Sequence, residues 1–368
     1  MSAATGRRHL EKLAAAPRPP GSESEAAARR YCGEVLASLG FEVNAAPFEY
    51  SAFPGRWATP AAGVVSIVAL WVAGHLGSQG EAREALLVLG ATLLVGAPLA
   101  LWIARRGVLS LPFDRLRGVN LFARRGGTWP AVWLVAHLDS KSQPVPTALR
   151  AAGIVGSAVV WMAALAIALA QWRGALVNGW WPVVAIASLV AGLPVVASVV
   201  GERSPGALDN ASGVATVLVA AEVLAGVPVG VLLTSGEEHG LAGARAWGAA
   251  HPTGLALNCD GIDDAGSLVC MRSGSSRRSR AVAACVEGAA RCRVELRVRG
   301  LVPGLLVDAV ALADAGWDAA TLSRGSWRTL ARVHRPSDDL AHLAGTGIDE
   351  AANVMAAAAA SVIMNQPS

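Results

Sequence analysis

The strongest candidates for chemistry are two adjacent carboxylates near the middle of the chain. Glu237 and Glu238 follow an apolar run at residues 229–235 and a single glycine, Gly236. The run predicts a strand buried on both faces, as in a parallel or mixed sheet, and ligands in open α/β sheets collect at the carboxyl ends of strands. Because neighbouring side chains on an extended turn point in different directions, one carboxylate can bind a metal while the other faces water. A solvated acidic loop would give the same pair, so the pair alone does not distinguish a metal site from a surface loop.

Further acidic and imidazole groups occur where predicted strands end or loops begin. They are His137 and Asp139 after the run 131–136, Asp209 before an Ala/Val-rich helix, Asp260 after the run 254–258, and His334 in a late loop. Each has a structural alternative: a hydrogen-bonded histidine, a helix N-cap at Asp209, or a turn at Asp260. Together they form a hard nitrogen and oxygen ligand set without thiolate, which suits zinc in a hydrolytic site. Two metal ions that share a carboxylate need this number of ligands.

The elements that would position these groups alternate along the polar parts of the chain. Apolar runs at 118–123, 131–136 and 254–258 predict strands, and patterned segments at 23–39 and 348–362 predict helices. Such alternation predicts an α/β fold with a mixed central sheet flanked by helices. The run before Glu237 then belongs to the middle of that sheet.

Four windows without Asp, Glu, Lys or Arg approach the ~20 apolar residues that a membrane-spanning helix needs. They are residues 58–77, 85–104, 151–171 and 180–201, with tryptophans near their ends at Trp57, Trp102, Trp172, Trp180 and Trp181, as in an aromatic belt. The chain is 53% hydrophobic and 16% charged, which fits a soluble domain with membrane spans. Four buried core helices are the alternative. The sequence therefore predicts an integral protein of the inner or plasma membrane with two inserted hairpins.

Charge and cysteine usage predict the orientation of these hairpins. The links 78–84 and 172–179 carry one arginine each, whereas the other ends of the spans carry Arg56, Arg105, Arg106, Arg115, Arg117, Arg150 and Arg203. The richer side is expected in the cytoplasm, and the absence of a recognisable signal peptide and the odd number of five cysteines agree. The arginines lie beside the spans, so a lipid bilayer rather than a nucleic acid is the expected partner. The oligomeric state is left open.

Five motifs, in order, resemble the two-zinc aminopeptidases of peptidase family M28, clan MH. They are His137-Leu-Asp139, Asp209-Asn-Ala-Ser-Gly213, Ser235-Gly-Glu-Glu238, Asp260 and His334-Arg-Pro-Ser-Asp338, and the segments Arg18-Pro-Pro-Gly-Ser22 and Leu39-Gly-Phe-Glu-Val43 also match. The resemblance covers residues 1–56, 105–149 and 202–366. It implies a three-layer fold of the zinc aminopeptidase type.

The resemblance also implies roles for individual residues. His137 and Asp260 would hold one zinc ion, Glu238 and His334 would hold the other, and Asp209 would bridge the two. The carboxylate of Asp139 would orient the His137 imidazole, and Glu237 would be the general base. Asp338 is expected to support the His334 loop, with an N-cap or surface carboxylate as the alternative. The implied activity is hydrolysis of the N-terminal residue from a peptide with a free α-amine, with two zinc ions per chain.

The domain organisation departs from the family pattern. The peptidase domain is predicted at residues 1–56, 105–150 (with the first metal motif) and 202–368 (with the remaining motifs), interrupted by transmembrane hairpins at 57–104 and 151–201. The second hairpin separates the His137 motif from Asp209. Since both ends of a two-pass hairpin return to one side, the domain can assemble on one face of the bilayer, with its site close to the membrane.

Two rival functions are compatible with the sequence. A glutaminyl-cyclase-like zinc acyltransferase, normally with one zinc ion, shares the fold and a segment like His137-Leu-Asp-Ser-Lys141; against it, Asp209-Asn-Ala-Ser-Gly213 has the aminopeptidase form. A catalytically inactive membrane scaffold is the other, and the intact set of predicted ligands argues against it. The preferred N-terminal residue, the physiological substrate and the metal used in the cell are not predicted.

Overall fold

The computed structural model describes residues 4–274, 279–301 and 306–364. Two compact units are formed. Unit 1 consists of Met1–Ser51, Leu111–Ser142 and Glu202–Ser368, and unit 2 of Ala52–Ser110 and Gln143–Gly201. Residues 1–3, 275–278, 302–305 and 365–368, which belong to the predicted peptidase segments, lie outside the described residues.

An eight-stranded mixed sheet forms the centre of unit 1. Its strands are β1 (Glu42–Ser51), β2 (Arg115–Arg124), β3 (Val132–His137), β4 (Gly230–Thr234), β5 (Leu255–Ile262), β6 (Ser267–Ser273), β7 (Leu296–Gly300) and β8 (Asp318–Gly325), in the spatial order β1-β2-β4-β3-β5-β8-β6-β7. The four central strands β4, β3, β5 and β8 are mutually parallel. Their carboxyl ends therefore meet at one edge of the sheet, as the apolar runs predict.

The helices are numbered along the chain. They are α1 (Ala4–Leu13), α2 (Glu23–Ser38), α3 (Phe53–Arg56), α4 (Ala58–Ser78), α5 (Ala82–Trp102), α6 (Val108–Ser110), α7 (Thr147–Trp172), α8 (Trp181–Val196), α9 (Ser212–Val223), α10 (Ala242–Ala250), α11 (Arg280–Cys292), α12 (Asp308–Asp314), α13 (Trp327–Arg332) and α14 (Ile348–Met364). Helices α3 to α8 belong to unit 2 and the others to unit 1.

The sheet is buried on both faces. Alternate residues of β3 show this: Leu134 packs with α9, α11 and α14 in one apolar cluster, whereas Trp133 and Val135 pack with α10 and α12 in another. A strand whose side chains alternate between two apolar layers must be apolar at every position. This explains why the strand before His137 reads as an uninterrupted apolar run, and the α/β fold predicted from the sequence is confirmed.

Unit 2 contains four helices that are long and apolar enough to cross a membrane: Ala58–Ser78, Ala82–Ser110, Thr147–Trp172 and Asn178–Val196. Large apolar side chains on them face outward; Leu94 is 78% exposed and Val190 is 70% exposed. Small residues allow close packing, since a Cβ at Gly153 would lie 2.8 Å from the carbonyl oxygen of Ala191. The last helix ends at Val196, five residues before the predicted end of its span.

Candidate metal centre

Glu237 and Glu238 lie in one tight helical turn directly after β4. The turn begins after Gly236 with φ +71° and ends at Gly240 with φ +98°. Glycine adopts this left-handed conformation without the steric cost that other residues meet. A Cβ at Gly236 would also lie 3.2 Å from the Tyr50 ring. The glycines therefore allow the chain to reverse sharply and bury both carboxylates at the sheet edge.

The carboxylate of Asp139 holds this turn. One of its oxygens accepts a hydrogen bond from the amide of Glu237 at 3.1 Å, and the other accepts one from the amide of Glu238 at 3.0 Å. Asp139 is fully buried. Its two oxygens thus fix the backbone that carries the two glutamates.

The contact predicted between Asp139 and His137 takes a different form. His137 Nδ1 lies 3.0 Å from the backbone carbonyl oxygen of Asp139 and 3.8 Å from its carboxylate. The carboxylate is engaged by the two amides, so the carbonyl accepts the imidazole N–H instead. A proton on Nδ1 leaves the lone pair of Nε2 available to a metal. In this structure the hydrogen bond that orients His137 is accepted by the Asp139 backbone carbonyl, and an orienting role for the Asp139 side chain stays a prediction.

Five of the predicted groups converge in two triplets. The first contains His137, Asp209 and Asp260, and the second contains Asp209, Glu238 and His334; the ligand atoms of each triplet lie within 4.8 Å of one another. Asp209 belongs to both: its Oδ1 lies 3.1 Å from His137 Nε2, and its Oδ2 lies 2.9 Å from His334 Nε2. Its two oxygens thus face opposite triplets.

The spacing of these atoms suits metal ions. Ligands held 2.0–2.2 Å from zinc in a tetrahedron lie about 3.4 Å apart. Two further distances are 3.8 Å between His137 Nε2 and Asp260 Oδ1, and 3.5 Å between His334 Nε2 and Glu238 Oε1. In the described part of the chain, His137 Nε2 and Glu238 Oε1 are buried without a hydrogen-bond partner. Since buried polar atoms are normally satisfied, these two orphaned atoms fit the role of metal ligands.

Negative charge is concentrated at the two triplets. Burial raises the pKa of Glu237 well above its ordinary value, and the charges of Glu238 and Asp260 raise it further. Burial also raises the pKa of Asp260. Against the effect of burial, the close imidazoles of His137 and His334 hold the pKa of Asp209 well below its ordinary value. Divalent cations would neutralise this charge.

The carboxylate of Asp338 supports the backbone at Asp209. Asp338 is 2% exposed, and its carboxylate accepts hydrogen bonds from the amides of Leu208 at 2.7 Å and Asp209 at 3.1 Å. The sequence predicts that Asp338 supports the His334 loop, and its backbone amide does donate to the carbonyl of Arg335, next to His334, at 2.9 Å. His334 itself adopts φ +63°, a conformation that is uncommon for non-glycine residues and concentrates at functional sites.

Three further residues, to which the motifs assign no role, contact the site or the segments beside it. Arg18 is buried and donates to the carbonyl of Leu138, between His137 and Asp139. The Lys141 ammonium lies 2.5 Å from Glu238 Oε2.

The third residue is Asp263, which lies three residues after Asp260. Its carboxylate accepts hydrogen bonds from Thr329 at 2.5 Å and Arg332 at 2.6 Å, two residues before His334. Arg18 and Lys141 do occur within the motif segments of the sequence, which is the signal that could have found them. No comparable pattern marks Asp263.

Residues 193–359 match the model of peptidase family M28. The matched region contains Asp209, Glu237, Glu238, Asp260 and His334 and begins after His137. No curated protein matches the sequence.

Solved structures share the fold. An aminopeptidase from Aneurinibacillus sp. strain AM-1 superposes with a TM-score of 0.58 at 16% identity, covering 100% of this chain and 96% of that chain. A zinc aminopeptidase from Bacillus subtilis gives 0.58 at 13% identity with the same coverage, and a glutaminyl cyclase from Fimbriiglobus ruber gives 0.56 at 15% identity, again covering 100% and 96%. The predicted resemblance is confirmed, and at these identities the structures establish the fold alone.

Proposed function

From the match of residues 193–359 to peptidase family M28, we propose that this chain is a zinc-dependent aminopeptidase that removes the N-terminal residue from peptides with a free α-amine. The observation that carries the proposal is the pair of triplets that share Asp209, one carboxylate oxygen facing each. His137, Asp209 and Asp260 would hold one zinc ion, and Asp209, Glu238 and His334 the other. Bound zinc would lower the pKa of water toward neutrality and polarise a peptide carbonyl.

The chain's own residues supply proton transfer and positioning. Glu237 is adjacent to the ligand Glu238, yet it belongs to neither triplet, so its carboxylate is available as general base. It would accept a proton from water and donate it to the leaving amine. Asp139 fixes the Glu237 backbone through the amide hydrogen bond, so the carboxylate is held in place before substrate arrives.

Matched substitutions in the glutamate pair test the assignment. Glu237→Gln should retain zinc but lose about 10²–10⁴-fold in turnover, because the proton acceptor is removed while the ligands remain. Glu238→Gln should lower zinc content, and Asp209→Asn should lower it at both positions. Metal analysis of the detergent-purified protein and hydrolysis of unblocked peptides measure these effects. Interchanged phenotypes for the two glutamates, or full zinc and activity in Asp209→Asn, would refute these roles.

A glutaminyl cyclase is the second candidate. Two observations favour it: the fold similarity to a glutaminyl cyclase and the contact of Lys141 with Glu238, since Lys141 belongs to the cyclase-like segment after His137. Peptides with N-terminal glutamine distinguish the two activities. An aminopeptidase releases free glutamine, whereas a cyclase releases ammonia and leaves a pyroglutamyl peptide.

For the membrane, we propose that the four apolar helices of unit 2 span the bilayer and that unit 1 faces the cytoplasm. The length and composition of these helices and the arginine asymmetry support this. A cysteine at Gln79, which is exposed in the link after α4, should react with an impermeant maleimide outside intact cells; one at the exposed Glu34 of α2 should not. Replacing Cys292, the one native thiol that is not fully buried, by serine lowers the background. The reverse labelling pattern would place unit 1 outside.

A further inference from the structure

We propose that Lys141 makes the two metal positions unequal, so that the ion at the Glu238–His334 position binds more weakly than the ion at the His137–Asp260 position. This inference rests on the proposed function, because it concerns the same metal positions. Lys141 lies four residues after His137 at the end of β3, and the only other lysine in the sequence is Lys12.

The two oxygens of Glu238 have different surroundings. Oε2 lies 2.5 Å from the Lys141 ammonium, whereas Oε1 lies 3.5 Å from His334 Nε2 and has no hydrogen-bond partner in the described residues. The side chains are 15% exposed for Lys141 and 2% exposed for Glu238, so bulk water screens this ion pair poorly. Only Oε1 is then available to a metal, and Glu238 is restricted to binding through one oxygen.

Among the residues that the structure describes, no lysine or arginine forms an ion pair with Asp260 at the first position. In the described part of the chain, the only side-chain nitrogen within ion-pair distance of Asp260 belongs to His137. A metal ion at that position therefore does not compete with an ammonium for the Asp260 carboxylate. The charge of Glu238 is shared with the ammonium, which also repels a second cation in a poorly screened environment. The consequence is one tightly held ion and one exchangeable ion.

The metal affinities can be measured directly. Metal-free full-length protein in detergent is titrated with zinc against a chromophoric chelator. The wild type should bind two ions with affinities that differ at least tenfold. Lys141→Met preserves the length of the side chain without its charge, and it should tighten the weaker site at least tenfold while leaving the tighter site unchanged. Lys141→Arg keeps the charge and should retain the inequality. Lys12→Met, at an exposed lysine in α1, is the matched control and should behave as the wild type.

His334→Ala identifies the position. It should abolish the weaker binding event and preserve the tighter one. Equal affinities in the wild type, or a weaker site that Lys141→Met leaves unchanged or weakens further, would overturn the inference while leaving two metal sites in place. A wild-type protein that binds no zinc would instead overturn the proposed function, so the two failures are distinguishable.

Discussion

Replacing Arg18 by methionine should destabilise unit 1 and loosen the segments that carry His137 and Asp209. The guanidinium is 2% exposed and donates to four backbone carbonyls, those of Leu13 (2.5 Å), Leu138 (2.7 Å), Pro205 (2.7 Å) and Gly206 (3.0 Å). Leu138 directly follows His137, and Gly206 precedes Asp209 by three residues. One side chain therefore joins the N-terminal segment to both loops.

The magnitude follows from the four carbonyls. A buried carbonyl left without a donor costs about 1–3 kcal/mol, so four carbonyls give a loss on the order of 4 kcal/mol even at the lower figure. Removing a buried cation relieves its desolvation cost, which offsets part of this loss. We expect a net loss of about 3 kcal/mol. At about 2–4 °C per kcal/mol for a domain of this size, the unfolding midpoint should fall by about 6–12 °C. Arg18→Lys should recover only part of the lost stability, because one ammonium cannot replace all the hydrogen bonds of the planar guanidinium.

Arg125 offers a matched control for this prediction. Its guanidinium also donates to backbone carbonyls, those of Leu39, Ala221 and Leu224, yet none of these residues adjoins a predicted metal ligand. Thermal unfolding of the purified chain, followed by tryptophan fluorescence, measures stability, and zinc retained after dialysis reports on the site. Arg18→Met should lower both, whereas Arg125→Met should lower stability alone. An unchanged midpoint in Arg18→Met, or zinc loss no greater than in Arg125→Met, would refute the reasoning.

Three other predictions concern buried groups. Asp139→Asn leaves one acceptor oxygen for the amides of Glu237 and Glu238. The free energy of unfolding, measured by denaturant titration, should therefore fall by about 1–3 kcal/mol, and an unchanged midpoint would contradict this. Burial lowers the pKa of His9 from 6.5 to about 4, so the stability that this neutral imidazole provides is present above pH 6.5 and is lost as the pH falls through 4. The difference in unfolding free energy between pH 7 and pH 5 should therefore be smaller in His9→Phe than in the wild type. An identical pH dependence in the two proteins would contradict the assignment. A thiol reagent should modify Cys292 first and the four buried cysteines only on denaturation; rapid reaction of more than one thiol would be inconsistent with the packing.

The apolar patterns of the sequence determined much of the sheet. A strand that is buried on both faces reads as an uninterrupted apolar run, so β3, β4 and β5 could be recognised from residue type alone. The boundaries were less accurate: the strand expected at 118–123 extends over Arg115–Arg124. It pairs with β1 along its whole length near one edge of the sheet, and the polar ends of such a strand carry no apolar signal.

The sequence by itself also predicted which residues could bind metal. His137, Glu238 and Asp260 belong to the carboxyl ends of parallel strands, which meet at one edge, whereas Asp209 and His334 were identified from their motifs. Only the tertiary structure decided which partner each supporting group contacts. Asp139 directs its carboxylate to the Glu237 and Glu238 amides, and Asp338 holds Asp209 from 129 residues away. These contacts join loops that are distant in the chain, and residue type and spacing constrain only local neighbours. The same reason explains why the contacts of Arg18 and Lys141 become visible only in three dimensions.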